Sequence, residues 1–198
     1  MNEQPLTLPA GDFAGLIFDC DGTLADTMPA HYRAWRAALA EFRAELPEAL
    51  FYELGGVPTE RIVEMLNTKF GHNLPPVEVA HRKEVFFLEF SKEVLPIQSV
   101  VAIAQQYAGR LPMAVASGGR RRLVTNTLNT IGIAHLFQAI VCAEDYVHGK
   151  PSPDPFLKAA ELLGVEPAKC LVFEDTELGA EAARAAGMKW VLVPPPTR

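Results

Sequence analysis

The chain has no run of basic residues longer than the triplet Arg120-Arg121-Arg122, no C-x-x-C pair and no apolar stretch near the ~18 residues that mark a membrane span. Each absence removes a class. Without a longer basic run there is little to release counterions from a phosphate backbone, and 24 Asp and Glu outnumber 18 Lys and Arg, so nucleic acid is not an expected partner. The three cysteines, Cys20, Cys142 and Cys170, are odd in number and far apart, which implies neither a disulfide framework nor a zinc knuckle. The segment from Met1 to Gly11 has no basic n-region and is broken by Pro5 and Pro9, so it does not read as a secretion signal. The expectation is a cytoplasmic protein that neither binds membranes nor needs staples. Its 198 residues suffice to bury roughly 70% of the surface of the unfolded chain.

What is present alternates. Apolar runs at Gly15–Asp19, Met113–Ser117, Ala139–Ala143, Cys170–Glu174 and Lys189–Val193 read as strands. Unbroken apolar triplets such as Leu16-Ile17-Phe18 and Leu171-Val172-Phe173 suit strands covered on both faces, as in a parallel sheet. Helical periodicity lies between them at Ser99–Gly109, Arg120–Ile131, Asp154–Leu163 and Glu177–Ala186, with Gly164 and Gly187 placed as C-terminal caps. The pattern predicts an α/β fold, a Rossmann-like parallel sheet with right-handed crossovers.

From about Met28 to Glu93 only helical patterns occur, near His31–Glu45, Thr59–Phe70 and Val77–Glu93. The expected organisation is therefore an α/β core of residues 1–27 and 94–198, with a helical insert of residues 28–93 after the first strand. Ligand-binding loops of parallel sheets lie at the carboxyl ends of strands, and an insert there can close over a site.

Four motifs lie at that rim. In Asp19-Cys20-Asp21-Gly22-Thr23 an apolar strand runs into carboxylates at i and i+2, which in extended chain point the same way roughly 7 Å apart. Two carboxylates facing one pocket need a cation, and a hard divalent ion with oxygen ligands supplies one. A solvated turn is the plain alternative. A calcium loop is not, because glycine falls at the fourth position from Asp19 and Ala30 occupies the twelfth. Ser117-Gly118-Gly119 ends a strand with a hydroxyl and backbone N–H groups suited to a phosphate oxygen, or else with a helix N-cap. Lys150 stands in the proline-rich loop His148-Gly149-Lys150-Pro151-Ser152-Pro153-Asp154, which lacks Walker spacing. Glu174-Asp175 ends another strand, where Asp175 or Thr176 can serve as an N-cap. Four such features on one rim argue for one site.

In order and spacing, D-x-D-G-T-L-x-D-T, the strand-end Ser117, G-K-P-x-P-D and E-D resemble the four motifs of the haloacid dehalogenase superfamily of phosphohydrolases and phosphomutases. Within it the chain resembles the small sugar-phosphate members, the fructose 1-phosphate and 6-phosphogluconate phosphatases and the β-phosphoglucomutases. The resemblance implies Asp19 as nucleophile and Asp21 as general acid and base. It implies Ser117, Gly118 and Lys150 at the phosphoryl group, and Mg2+ held by Asp19, Asp21 through its carbonyl, and Asp175, with Glu174 in support. In the cap, His31 resembles a mutase residue that couples closure to the general acid, and Lys83 a substrate-contacting lysine. Thr59 stands where a mutase carries the arginine for a second phosphate, and Arg61 is no obvious replacement. Together with Thr23 in place of an apolar residue, this favours a phosphatase over a β-phosphoglucomutase. The implied partner is a small phosphate ester, and the implied state is a monomer or weak dimer. By strand alternation, Cys20 faces away from the two aspartates and packs.

Overall fold

In the computed structural model, which describes residues 6–196, the five apolar runs form one sheet. The strands are β1 (Gly15–Phe18), β2 (Met113–Ala116), β3 (Ala139–Val141), β4 (Cys170–Glu174) and β5 (Lys189–Leu192). Their order is β3-β2-β1-β4-β5, with every pairing parallel. The first strand is central, and its register sets Phe18 level with Val115 on one side and Phe173 on the other. The next residue of each neighbour therefore emerges at the same height. Asp19 leaves β1 beside Glu174 at the end of β4, its N–H donating to the Phe173 carbonyl at 2.9 Å.

Alternation along each strand sorts side chains into two cores. Leu16, Phe18, Val115, Leu171 and Phe173 pack on one face with Val100, Val101, Val124 and Leu128. Those partners come from helices α5 (Gln98–Tyr107) and α6 (Arg121–Thr130). Ile17, Ala114, Ala116, Cys170 and Val172 pack on the other face with Phe156, Ala159, Ala182 and Ala183. These belong to α7 (Asp154–Leu163) and α8 (Glu177–Ala185). Phe18 and Phe173 stack at 4.6 Å between centroids, a contact worth about 1 kcal/mol beyond its buried area. Cys20 belongs to the first core, with Phe18 and Leu24, as alternation predicts.

The chain forms two compact units, the sheet-bearing one running up to Asp26 and resuming at Leu95, the other spanning Thr27–Val94. The second unit is all helical: α1 (Met28–Ala40), α2 (Glu48–Glu53), α3 (Thr59–Phe70) and α4 (Pro76–Phe90). Trp35, Leu39, Leu46, Phe51, Ile62, Val63, Leu66 and Val79 form its core. The Asn67 amide brackets Leu74, donating to its carbonyl at 2.9 Å and accepting its N–H at 2.8 Å, which fixes the turn into α4. Arg82 of α4 pairs with Glu41 just past α1.

Besides shifts of one to three residues at other ends, the helical insert departs from the sequence pattern in three places. The first helix of the insert ends at Ala40 rather than Glu45, because Arg43 turns to φ 54° and the chain folds back to bury Ala44 and Leu46. The short α2, between Pro47 and Leu54, has no counterpart in the periodicity, since six residues are too few to show it. Helix α4 gives way at Ser91–Glu93 to a tighter 3-10 turn. Gly164 and Gly187 take left-handed φ values of 66° and 73° after α7 and α8, as read from their positions. No helix of the described residues is long and apolar enough to cross a membrane.

Candidate active site

The site is built where β1, β2 and β4 end. Gly22 N–H bonds the Ala25 carbonyl, and Leu24 and Ala25 N–H both bond the Cys20 carbonyl, so the chain curls immediately after Asp19. That curl carries Thr23 inward, where its hydroxyl donates to Asp175 Oδ1 at 3.1 Å. Lys150 Nζ donates to Asp19 Oδ1 and to Glu174 Oε1, both at 2.6 Å, and lies 4.9 Å from the centre of the Phe156 ring. The remaining Glu174 oxygen, Oε2, accepts from Thr176 N–H at 2.6 Å and from the Thr176 hydroxyl at 2.9 Å. Ser117 Oγ accepts the Gly119 N–H at 3.0 Å. A Cβ on Gly119 would lie 3.3 Å from Ser117 Oγ and 3.6 Å from Asp21 Oδ2, which places the hydroxyl and the second aspartate around one small space.

Two alternatives open in the sequence are thereby settled. Helix α6 begins at Arg121 with Arg120 as its N-cap, so Ser117 is not a cap. At α8 the cap is Thr176, whose hydroxyl accepts Gly179 N–H at 3.1 Å, leaving Asp175 for other work.

The electrostatics are those of a crowded acidic pocket. Burial raises Asp19 well above its ordinary carboxyl range. Lys150 opposes this, while Glu174, Asp175 and Asp21 add to it. Asp175 is pushed up to about 7, by burial and by Glu174. Burial alone would lower Lys150, but the Asp19 and Glu174 carboxylates outweigh it and hold the ammonium above its usual range. One lysine does not balance three acids. Carboxylate oxygens of Asp19, Glu174 and Asp175 lie within 4.8 Å of one another, an all-oxygen donor set that fits a hard divalent cation.

The loop around Lys150 is held by Asp154, whose Oδ2 accepts from His148 N–H at 3.2 Å and contacts its ring at 3.1 Å. Ser152 Oγ donates to the other oxygen at 2.7 Å. The Lys150–Pro151 peptide is cis. Tyr146, which sequence reasoning passed over, donates from its hydroxyl to the Ser117 carbonyl at 3.1 Å. Nothing in a lone tyrosine five residues after the end of β3 marks it in advance. Thr23, in the sequence only a departure from an apolar residue, has Asp175 as the partner of its hydroxyl.

Within the helical unit, His31 Nδ1 lies 2.9 Å from Lys83 Nζ, and the His31 ring stacks on Phe87 at 3.9 Å. Lys83 is 6% exposed, with its ammonium 5.6 Å from the Phe87 ring centre and 5.9 Å from that of Trp35. Thr59 is the first residue of α3, following Pro58, whereas His31 and Lys83 meet between α1 and α4. Arg61 is paired with Glu64 on the same helix at 2.7 Å.

The parallel α/β sheet carries an acidic, lysine-bridged cluster and a glycine-flanked hydroxyl at its carboxyl rim, an arrangement that fits a hydrolase. The chain belongs to the haloacid dehalogenase-like hydrolase family, whose model matches residues 16–193. It is 40% identical over 179 residues to a fructose-1-phosphate phosphatase of Escherichia coli, covering 89% of this chain and 94% of that protein. It is 30% identical over 183 residues to a β-phosphoglucomutase of Bacillus subtilis, covering 87% and 80%. Its fold matches the solved CbbY protein of Rhodobacter sphaeroides in complex with xylulose-(1,5)bisphosphate. That match has a TM-score of 0.83 at 21% identity, over 92% of this chain and 86% of that one. The protein is an enzyme of the phosphoric monoester hydrolase class.

Proposed function

We propose that the protein is a Mg2+-dependent phosphatase of small sugar or sugar-acid monophosphates that works through an aspartyl-phosphate. The observation that carries this reading is Lys150 bridging Asp19 and Glu174 at 2.6 Å each, with Asp175 in the same acidic cluster. Because Lys150 engages Asp19 Oδ1, the other oxygen of Asp19 is the nucleophile. It attacks phosphorus in line as the bond to the substrate's alcohol oxygen breaks, and Asp21 gives that oxygen its proton. Asp21 then takes a proton from water as the water attacks phosphorus, releasing inorganic phosphate and restoring Asp19. Ser117, the Gly118 backbone and Lys150 hold the phosphoryl oxygens, supplying position and charge, which dominate phosphoryl-transfer catalysis. Asp19, Asp175 and the carbonyl of Asp21 would hold Mg2+, whose charge would offset that of the phosphoryl group. Glu174 supports them.

Substrate selection is assigned to the helical unit, through the His31–Lys83 pair and the surface around Thr59. The fructose-1-phosphate phosphatase at 40% identity supports a sugar phosphate as substrate. The β-phosphoglucomutase alternative needs an anchor for a second phosphate, and the pairing of Arg61 with Glu64 together with threonine at position 59 speaks against one. Phosphate release from p-nitrophenyl phosphate, followed by a panel of fructose 1-phosphate, 6-phosphogluconate and the glucose phosphates, tests the reading. Wild type must outrun Asp19→Asn and must need Mg2+. Conversion of β-glucose 1-phosphate to glucose 6-phosphate without phosphate release would establish the mutase instead.

A further inference from the structure

Helix α8 is rich in alanine, with Ala180, Ala182, Ala183 and Ala185 among its nine residues, yet position 179 in its first turns is glycine. Glycine is the poorer helix former, and this one has no conformational reason to be there, since its backbone is helical and its φ is not positive. The reason is spatial. A Cβ at position 179 would lie 2.0 Å from Glu174 Cδ, 2.1 Å from Oε1 and 2.4 Å from Cγ. The acidic side chain occupies the volume that any side chain at 179 would take.

We propose that Gly179 is a positioning residue of the active site: its missing side chain is the recess in which the Glu174 carboxylate lies and from which it holds Lys150. The contacts around that recess form a continuous chain. Gly179 N–H donates to Thr176 Oγ1 at 3.1 Å, Thr176 Oγ1 donates to Glu174 Oε2, Glu174 Oε1 accepts from Lys150, and Lys150 donates to Asp19. Glu174 is 1% exposed, so it has no solvent into which to swing if displaced. With a methyl group at 179 the carboxylate must retreat by about 1 Å even to reach a contact of 3.0 Å, and Lys150 loses one of its two anchors. A misplacement of that size costs about a hundredfold in rate when it reaches groups that orient a reacting atom. The inference rests on the phosphatase reading for its kinetic readout, but its geometric content stands apart from it.

The test is a double-mutant cycle with Gly179→Ala and Glu174→Ala, scored by kcat, by melting temperature and by a crystal structure of Gly179→Ala. The expected result is a folded Gly179→Ala protein that melts below wild type, because the overlap strains a buried ion pair, and that loses about a hundredfold in kcat. The double variant should then be no slower than Glu174→Ala alone, because the methyl group acts only through the carboxylate. A merely structural role predicts additive losses, and additive losses overturn the proposal, as does wild-type kcat in Gly179→Ala. If Gly179→Ala does not fold, recovery of folding in the double variant upholds the overlap, and failure of both overturns it. A crystal structure of Gly179→Ala with Glu174 still bonded to Lys150 also overturns it, whatever the substrate. Absence of any turnover by wild type, by contrast, sinks only the phosphatase reading.

Discussion

Gly22 sits against Asp175 so closely that a Cβ on it would lie 2.2 Å from Asp175 Oδ2 and 2.8 Å from Cγ. Its φ of 85° is also one that side-chain-bearing residues rarely adopt. Two independent constraints thus fall on the glycine between Asp21 and Thr23, one from the curl of the loop and one from the carboxylate packed upon it. Gly22→Ala is expected to push Asp175 off the cluster. The concentration of Mg2+ needed for half-maximal activity should rise at least about tenfold, with a loss of about a hundredfold in kcat/KM. A Mg2+ titration of phosphatase activity checks this, and an unchanged metal requirement would contradict the assigned role of Asp175.

Removing the ammonium at position 150 leaves Asp19 and Glu174 facing each other with no positive partner, both almost wholly buried. Breaking a buried pair by deleting one member costs about 3–5 kcal/mol, because the other charge stays behind uncompensated. Lys150→Met should therefore melt well below wild type in EDTA. Mg2+ should restore part of the difference by supplying charge in its place. Activity should stay down by about two to three orders of magnitude even with Mg2+, since a metal at Asp175 does not replace a donor to the phosphoryl oxygens. Thermal melts with and without Mg2+, alongside kinetics, separate the two effects.

Much of this site was legible because a parallel sheet places consecutive motifs on one rim whatever the loops between them do. Asp19, Ser117 and Glu174-Asp175 each end or follow an apolar run, and the register of β1 with β2 and β4 converts that pattern into proximity, while Lys150 is marked by its proline-rich loop beyond β3. Helices α3 and α7 matched their periodicity end to end, since Pro58 and Gly71 bound the first, and Pro153 and Gly164 the second. What escaped was set by tertiary demands. Tyr146 matters through a hydroxyl that reaches Ser117 across 29 positions, and Gly179 through an overlap that no residue spacing announces. Helix α1 stopped early for the sake of Ala44 and Leu46, which is a packing requirement rather than a helix-breaking residue.

The carboxyl of Asp175, raised to about 7 by burial and by Glu174, ties metal binding to pH. A carboxyl whose folded value lies above its unfolded one, near 3.9, contributes stability that is complete below about pH 4 and is lost as pH climbs through about 7. The metal-free protein should accordingly lose stability from this group across that window. Mg2+ competes with the proton for the same oxygens. Its stabilising effect should be small near pH 5.5 and larger near pH 8, and at pH 8 it should exceed that of NaCl at equal ionic strength, which only screens. Melting curves in EDTA and in Mg2+ at the two pH values measure this, and an equal Mg2+ shift at both would exclude Asp175 as a ligand.

The thiols titrate in the other direction from what a reactive cysteine needs. Burial pushes Cys142 up to about 12 and Cys170 up to about 11, and raises Cys20, with Asp21 and Asp19 adding to the last. The thiolate is the nucleophile, and an ordinary free thiol near 8.5 is about a quarter ionised at pH 8, whereas these are almost wholly protonated and buried besides. Native protein should therefore resist iodoacetamide at about pH 8, with all three cysteines alkylated once urea opens the chain. The same shift bears on alkaline stability. Stability owed to keeping these thiols neutral is complete below the unfolded value near 8.5 and falls as pH rises toward 11 and 12, because the unfolded chain releases protons that the folded one retains. A melting temperature that declines from about pH 9 upward, and declines less when Cys142 and Cys170 are both replaced by alanine, is the expected pattern. Rapid stoichiometric alkylation of the native protein would show instead that at least one thiol is open to solvent and ionised, and would remove Cys20 from the role of a packing residue behind the two aspartates if that residue were the one labelled.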